Sequence, residues 1–400
     1  MNNQHTLTCT RRLALAYMAG SLGQLTGCGG SSDVAGLSSG GTGSFSSGTV
    51  SGLGSIIVNG VRYNIDSAEL RTSTDTLLLP SALKLGMVVA IESSPVIPAT
   101  SSQSWPTATA TRVTCLGGWV GPVASITRTA QQTTFELLGY TVEVLSNTLF
   151  SGDAQQFSEL TAAHFVEVYG YLNTATGQIL ASRVDVSTQQ PVQYKLTSLF
   201  GQIDLKKLSD LLQKSLLNQT LSDLLPPDVT NNSMVHVVID PNASNANWSI
   251  ANISNVASQL EPLSMEKNCK AEISGFVTTV TSSRDFTVNG IRVDAQSAQL
   301  TGDVSLGKQV KVQGRVDTQA FQIVATQVQE ITLTQMAESS FEFYGEISNI
   351  TLQTLMVKGE TIYHSNSAAI LALLQTPKIS AKVTAYRDGA HWQLVDVTVM

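Results

Sequence analysis

From residue 47 onward the chain reads as short runs in which apolar and polar residues alternate, the period-two signature of half-buried strands. These runs come in sets. Ile56-Ile57-Val58-Asn59-Gly60-Val61-Arg62-Tyr63 reappears as Phe286-Thr287-Val288-Asn289-Gly290-Ile291-Arg292-Val293, and Ser67-Ala68 matches Ser297-Ala298 at the same offset. Asn-Gly between two alternating runs is a strong hairpin signal, because both turn residues must adopt left-handed backbone. Leu137-Leu138-Gly139-Tyr140 and Val357-Lys358-Gly359-Glu360 are weaker copies.

The flanks recur as well. A Gly-x-Val-type strand opens each set at Gly48, Gly121, Gly275 and Gly345. Further alternating strands follow, Met87 to Ile91 with Ala110 to Val113 in the first set and Val310 to Gly314 with Ala325 to Val328 in a later one. Five short strands per set suit a small closed barrel, and their order resembles the OB arrangement. The expected fold is therefore all-β, tandem small OB-like five-stranded β-barrels, with small β-sandwiches as the alternative. The expected units are 47–115, 118–188, 270–332 and 341–400.

Residues 192–260 break the pattern and form a degenerate unit. No Asn-Gly hairpin occurs there. Instead Leu205, Leu208, Leu211, Leu212, Leu216, Leu217, Leu221, Leu224 and Leu225 fall at helical spacing, and Pro226-Pro227 closes the run. The spacing predicts one amphipathic helix over 205–225. It either plugs or covers a barrel, or lies against a membrane or partner.

The N-terminus has a different character. Arg11 and Arg12 precede a short apolar run from Leu13, which ends at Leu25-Thr26-Gly27-Cys28. That is the anatomy of an export signal over 1–27, too short and too broken by Gly20 and Gly23 to span a bilayer permanently. Leu25-Thr26-Gly27-Cys28 resembles the lipobox of bacterial lipoproteins, which implies lipid attachment, including palmitate, at Cys28. Gly29 stands where Asp would favour inner-membrane retention, so the resemblance implies a lipid-anchored protein of the outer membrane, facing the periplasm or the cell surface. Residues 28–46, mostly Gly and Ser, read as a flexible tether.

Composition narrows the function classes. Hydrophobic residues make up 42% of the chain, enough for real cores, whereas only 13% are charged. The net charge is −7, with no Lys/Arg block, which excludes the electrostatic footprint of a nucleic-acid binder. Catalytic groups do not cluster. His164, His236, His364 and His391 form no zinc spacing, and no calcium loop, phosphate loop, dinucleotide fingerprint or serine elbow occurs. No cofactor, metal or catalytic residue is expected. Asp66 and Asp294, each just after a repeated hairpin, suggest local turn bonds. Beyond Cys28 and the signal's Cys9, only Cys115 and Cys269 remain, each shortly before the opening Gly of a unit. They could pair as a disulfide in an oxidising compartment or stay as two buried thiols. Trp105, Trp119, Trp248 and Trp392 occupy dissimilar repeat positions, which favours packing over a shared sugar-stacking platform.

The run Gly54 to Tyr63 and its partner at 286–293 resemble proteobacterial lipoproteins carrying repeated copies of an uncharacterised OB-like domain, domain of unknown function 5666. The resemblance implies an envelope lipoprotein and supplies no activity or site residues. The reading is a non-enzymatic, membrane-tethered array of barrels that binds an envelope protein or glycan. A surface adhesin or polysaccharide-binding lipoprotein, and a hydrolase with an unrecognised site, are the alternatives.

Overall fold

In a computed structural model, residues 43–399 are described except 54, 74, 101–105, 130–132, 218–223, 257–268, 333–339, 366–369, 371–378 and 389–390. Cys28, the export signal and most of the tether lie outside them. The first set of strands is β1 (Ser44–Leu53), β2 (Ile56–Val58), β3 (Val61–Asn64), β4 (Glu69–Thr72), β5 (Val88–Ser93) and β6 (Thr107–Cys115). The second is β7 (Trp119–Arg128), β8 (Thr133–Leu137), β9 (Tyr140–Gly152), β10 (Phe165–Asn173) and β11 (Gln178–Ser187).

The second set shows the topology most simply. β7 pairs with β8, β8 with β9, β9 in parallel with β11, β11 with β10, and β10 back with β7. The ring is closed in the order 1-2-3-5-4-1, which is the OB arrangement. The first set closes identically, its third strand being split into β3 and β4, both parallel to β6. Closure removes the unpaired edges a small open sheet would expose. The β-sandwich alternative is thereby set aside.

The same ring recurs in β16 (Lys270–Ser282), β17 (Asp285–Val288), β18 (Ile291–Asp294), β19 (Gln299–Thr301), β20 (Gln309–Asp317) and β21 (Gln322–Glu330). It recurs once more in β22 (Phe341–Ser348), β23 (Thr354–Val357), β24 (Glu360–Tyr363), β25 (Ile379–Asp388) and β26 (His391–Val399).

The four hairpin turns explain the Gly that opens each unit. Asn59, Leu138, Asn289 and Lys358 sit at φ near +50°, each followed by Gly at φ between 79° and 87°. This is the two-residue turn whose twist matches that of the strands. The turn residue folds back over strand 1. A Cβ on Gly275 would lie 1.9 Å from Asn289 Nδ2, and one on Gly48 would lie 2.7 Å from Asn59 Oδ1. The space is needed because Asn289 Oδ1 accepts from Phe276 N at 3.1 Å while its Nδ2 donates to the Ser274 carbonyl at 3.0 Å. The hairpin tip is clasped to its neighbour strand.

The middle unit holds β12 (Tyr194–Leu199), α1 (Leu205–Leu212), β13 (Ser215–Leu216), β14 (Met234–Asp240) and β15 (Asn247–Asn255). β12 pairs with β14, β14 with β15, and β13 runs parallel to β15. These are the 1–4, 4–5 and 3–5 pairings of the other barrels, so α1 replaces strand 2. A register shift between strands 4 and 5 occurs in this unit as in the other four, at Val238/Ile239, Glu92/Ser93, Tyr169/Gly170, Gln313/Gly314 and Thr384/Ala385. A shared bulge marks the middle unit as a member of the series.

The helix is shorter than its leucine spacing predicts. Asp204 caps it by accepting from Lys207 N at 2.8 Å, and Gln213, left-handed at φ 52°, ends it. Leu216 then joins the parallel pair with Trp248. Strand pairing to β15 outcompetes another helical turn, and residues 218–223 lie outside the described ones. Leu208 is buried in the core formed with the second barrel, while Lys207 Nζ donates to the Gly139 carbonyl at 2.7 Å. The helix covers a barrel, one of its two expected roles.

The barrels do not follow one another like beads. β1 runs parallel to β16 over Ser44–Ser47 and Lys270–Ile273, and parallel to β22 over Gly52–Leu53 and Glu342–Phe343. β12 touches β7 through Lys195 and Val120. Among the described residues, each strand pairing between barrels joins a first strand to a first strand. The five units share three apolar cores, one of which unites the first and fifth barrels. β1 also corrects the expected tether boundary. Ser44, Phe45, Ser46 and Ser47 are buried strand residues, so the tether expected over 28–46 ends before Ser44. Small serines here let β1 be sandwiched between β5 and β16, and burying Phe45 contributes about 2 kcal/mol.

Candidate binding cleft

The lateral strand contacts leave clefts between barrels. The first is a cavity of ≈ 300 Å³ with walls from four of them. Thr49, Ser51 and Asn59 come from the first barrel, Asn147, Tyr171 and Ser182 from the second, Ser274 and Gln309 from the fourth, and Phe341 from the fifth. Among the described residues, no charged side chain lines it. Next to it lies a cavity of ≈ 470 Å³ between the second and fourth barrels, and the two share Leu180, Gln309 and Ile331. Both volumes fall within the range of small-ligand sites, about 300–1,000 Å³. The second cavity adds Glu143, Lys308 and Glu330, with Lys308 Nζ 3.0 Å from Glu330. The Asp303 backbone N–H and then Lys308 Nζ hold Glu330 below the usual carboxylate range, and the Ser305 backbone N–H and hydroxyl do the same for Asp303.

Most polar groups of the first cavity are already engaged. Asn59 Nδ2 donates to Ser46 Oγ at 3.0 Å and to the Ser47 carbonyl at 3.1 Å, while its Oδ1 accepts from Ser274 Oγ of the fourth barrel at 3.0 Å. Thr49 and Tyr171 share a 3.0 Å hydroxyl bond, and burial pushes the Tyr171 phenol up to about 12. Ser182 Oγ donates to the Gly86 carbonyl at 2.7 Å. These bonds stiffen the walls, which is what pre-organises a recognition site. Gln309 differs: it is 6% exposed and its Oε1 has no partner among the described residues.

A separate ion-pair network joins the first and second barrels. Arg183 is buried, donates Nη1 to the Leu85 carbonyl at 3.0 Å and Nη2 to Ser151 Oγ at 2.6 Å, and sits 2.6 Å from Asp185. Burial opposes the Asp185 charge, but Arg183, Ser151 and Lys84 outweigh it and hold the carboxyl below its usual range. The network locks the first barrel onto the second.

The residues singled out from sequence are dispersed. Among the described residues, no group of three His, Cys, Asp or Glu could hold a metal ion, and no helix is long and apolar enough to cross a membrane. His236 lies in β14, is buried and bonds Thr197 Oγ1 at 2.7 Å; burial, then Lys195, lowers it to about 4. It borders a separate apolar crevice of only ≈ 60 Å³. His164 accepts from Thr161 N at 3.1 Å through Nδ1, His391 is exposed against Tyr363, and His364 is buried with neither ring nitrogen partnered among the described residues. Asp294 makes its expected turn bond, accepting from Gln296 N at 3.0 Å. In the first barrel that bond is made by Asn64 to the Asp66 amide, so Asn64 and not Asp66 is the counterpart of Asp294.

The disulfide reading of Cys115 and Cys269 is corrected: both are buried thiols with no disulfide between them. Cys115 faces Val89 in β5, whose partner in β1 is Gly48, whereas Cys269 precedes Lys270, opposite Ser44 on the other side of β1. Three strand spacings of about 4.8 Å separate them, beyond what a disulfide spans. They belong to different cores, and burial pushes the Cys115 thiol up to about 12. Trp119, Trp248 and Trp392 are buried, their indole N–H groups donating to Thr197, Ser209 and Glu360. Trp105 lies outside the described residues.

The cleft carries no motif, so sequence reasoning missed it. Its polar groups come singly from four repeats. One signal was present: in the strand 1–4 register Gln309 takes the place held by Val88 and Phe165 in the first two barrels.

No curated protein matches the chain. Among solved structures, the "drosophila Unr CSD456" chain is similar over 42% of this chain and 76% of its own, with 8% identity and a TM-score of 0.12. Residues 120–185, the closed ring of the second barrel, match the family model for the domain of unknown function DUF5666.

Proposed function

We propose that this chain is a non-enzymatic lipoprotein of the cell envelope, anchored through Cys28 at the outer membrane, whose clustered barrels bind an envelope protein or glycan. The observation that carries the binding role is the pair of adjoining cavities walled by four barrels, whose linings set hydrogen-bonding groups among apolar side chains. Such a surface recognises a partner by hydrogen bonding and shape. The acidic net charge disfavours nucleic acid. Anchoring rests on the Leu25-Thr26-Gly27-Cys28 run and the Gly/Ser stretch that follows it. Metabolic palmitate labelling and membrane fractionation of wild type and Cys28→Ala test the anchor. Labelling and membrane association lost in the variant is the expected result; unchanged association refutes it. Protease shaving of intact cells then separates a surface-facing body from a periplasmic one.

A further inference from the structure

Gln309 begins β20, opposite Phe276 of β16, at the seam where the two cavities meet. The fold does not require an amide there. At the equivalent places the first barrel has Val88, opposite Thr49, and the second has Phe165, opposite Pro122. Both are ordinary strand residues for a barrel wall. In the fourth barrel, a glutamine is buried instead and its side-chain oxygen is left without a hydrogen bond. A buried polar atom without a partner is uncommon and costly, so its presence calls for a reason.

The surroundings supply one. The lining near Gln309 in the first cavity mixes hydroxyls and amides, Thr49, Ser51, Asn147 and Ser182 among them, with the apolar Leu145, Leu180, Ile331 and Phe341, and none of its described residues is charged. The last side-chain torsion of glutamine is broad and two-fold, so either amide atom turns to the cavity wall at small cost. An amide that both accepts and donates matches the paired hydroxyls of a sugar ring, and a lining of apolar and uncharged polar groups suits the C–H and O–H faces of such a ligand.

We infer that the first cavity is a binding site for a neutral carbohydrate, read by the Gln309 amide. This rests on the binding role proposed above and narrows it. The test uses the full-length protein in detergent, titrated by calorimetry with a panel of uncharged oligosaccharides comprising α- and β-glucans, mannans and N-acetylglucosamine oligomers. Gln309→Met keeps the side-chain length and removes the amide; Gln309→Val copies the first barrel. One sugar class binds wild type, and both variants weaken it roughly tenfold to a hundredfold, the loss of one to two hydrogen bonds. Their melting temperatures equal or exceed that of wild type, since an unpartnered buried oxygen is gone. If no member of the panel binds, or if a sugar binds equally to the variants, the inference is overturned. In vivo cross-linking separates the two levels of the argument. A protein partner captured by wild type and lost in Gln309→Met overturns the carbohydrate class while the binding role stands. Absence of both sugar and protein partners removes the binding role as well.

Discussion

Replacing Gly275 by Ala tests why each unit opens on glycine. Gly275 has no left-handed φ, so alanine meets no backbone penalty; the obstacle is the Asn289 side chain. A Cβ would sit 1.9, 2.2 and 2.3 Å from Asn289 Nδ2, Oδ1 and Cγ, well inside contact distance. The side chain must swing away, abandoning its bonds to Phe276 N and the Ser274 carbonyl. Each bond contributes about 1 kcal/mol, and a stranded amide N–H costs about 1–3 kcal/mol more, so the expected loss is about 3–5 kcal/mol. Asn289→Gly keeps the turn's positive φ while removing the side chain. In that background Gly275→Ala costs under about 0.5 kcal/mol, because nothing is left to displace. Gly345→Ala is the natural comparison: its nearest neighbour is Lys358 Cε at 2.8 Å, the far end of a flexible chain, and the loss stays below about 1 kcal/mol. Hydrogen exchange read by mass spectrometry on peptides spanning 270–295 measures local opening free energy barrel by barrel, which suits a protein that will not unfold in one step. Equal losses from Gly275→Ala in the wild-type and Asn289→Gly backgrounds would refute the clasp.

Three more outcomes follow from the same contacts. The His236 imidazole is lowered to about 4 from an unfolded value of 6.5, so the unfolded chain binds the extra proton between these limits. Stability present above pH 6.5 is lost as pH falls toward 4, by about 3 kcal/mol at most; exchange protection of β14 should fall over this window and stay flat in His236→Gln. Arg183→Met leaves Asp185 with only Ser151 and Lys84, and should loosen the contact between first and second barrels by about 2–3 kcal/mol. Adding Asp185→Asn should recover much of that loss; no recovery would mean the charge is not the issue. Finally, Cys115 and Cys269 should both react with an alkylating reagent in denaturant without prior reduction, and only slowly in the native protein; a mass-mapped bridge between them would contradict the strand order.

Much of the barrel architecture was legible because it is local. Asn59-Gly60 and Asn289-Gly290 dictate a tight turn by backbone sterics alone, and alternation on either side fixes which face turns inward. Leu138-Gly139 and Lys358-Gly359 make the same turn with residues that dislike positive φ, the reason their signal was fainter. What stayed hidden is non-local. Ser44 to Ser47 look like linker by composition, and only the approach of β16 from more than two hundred residues away makes them core. The helical leucines beyond Leu212 follow a period that α1 abandons once Leu216 finds Trp248. The pairing of Cys115 with Cys269 looked reasonable by repeat position, yet equivalent places in two barrels need not be neighbours. Gln309 was hard to read for the same reason, since its meaning depends on which four barrels surround it.

The joining of β1 to β16 and β22 also sets an order of events. The first barrel can close on itself as soon as Cys115 has left the ribosome or an export channel, for all its ring partners are then present. Its opening strand must still wait, with Ser44–Ser47 unpaired on one side, for partners that begin at Lys270 and Phe341. Contacts of such separation are slow to form and leave an unsatisfied edge in the interval. A chain stopped after the middle unit would carry that edge permanently. Truncation at about residue 260 should therefore give barrels that fold but self-associate through β1, so that the last two barrels act as chaperones built into the sequence they complete.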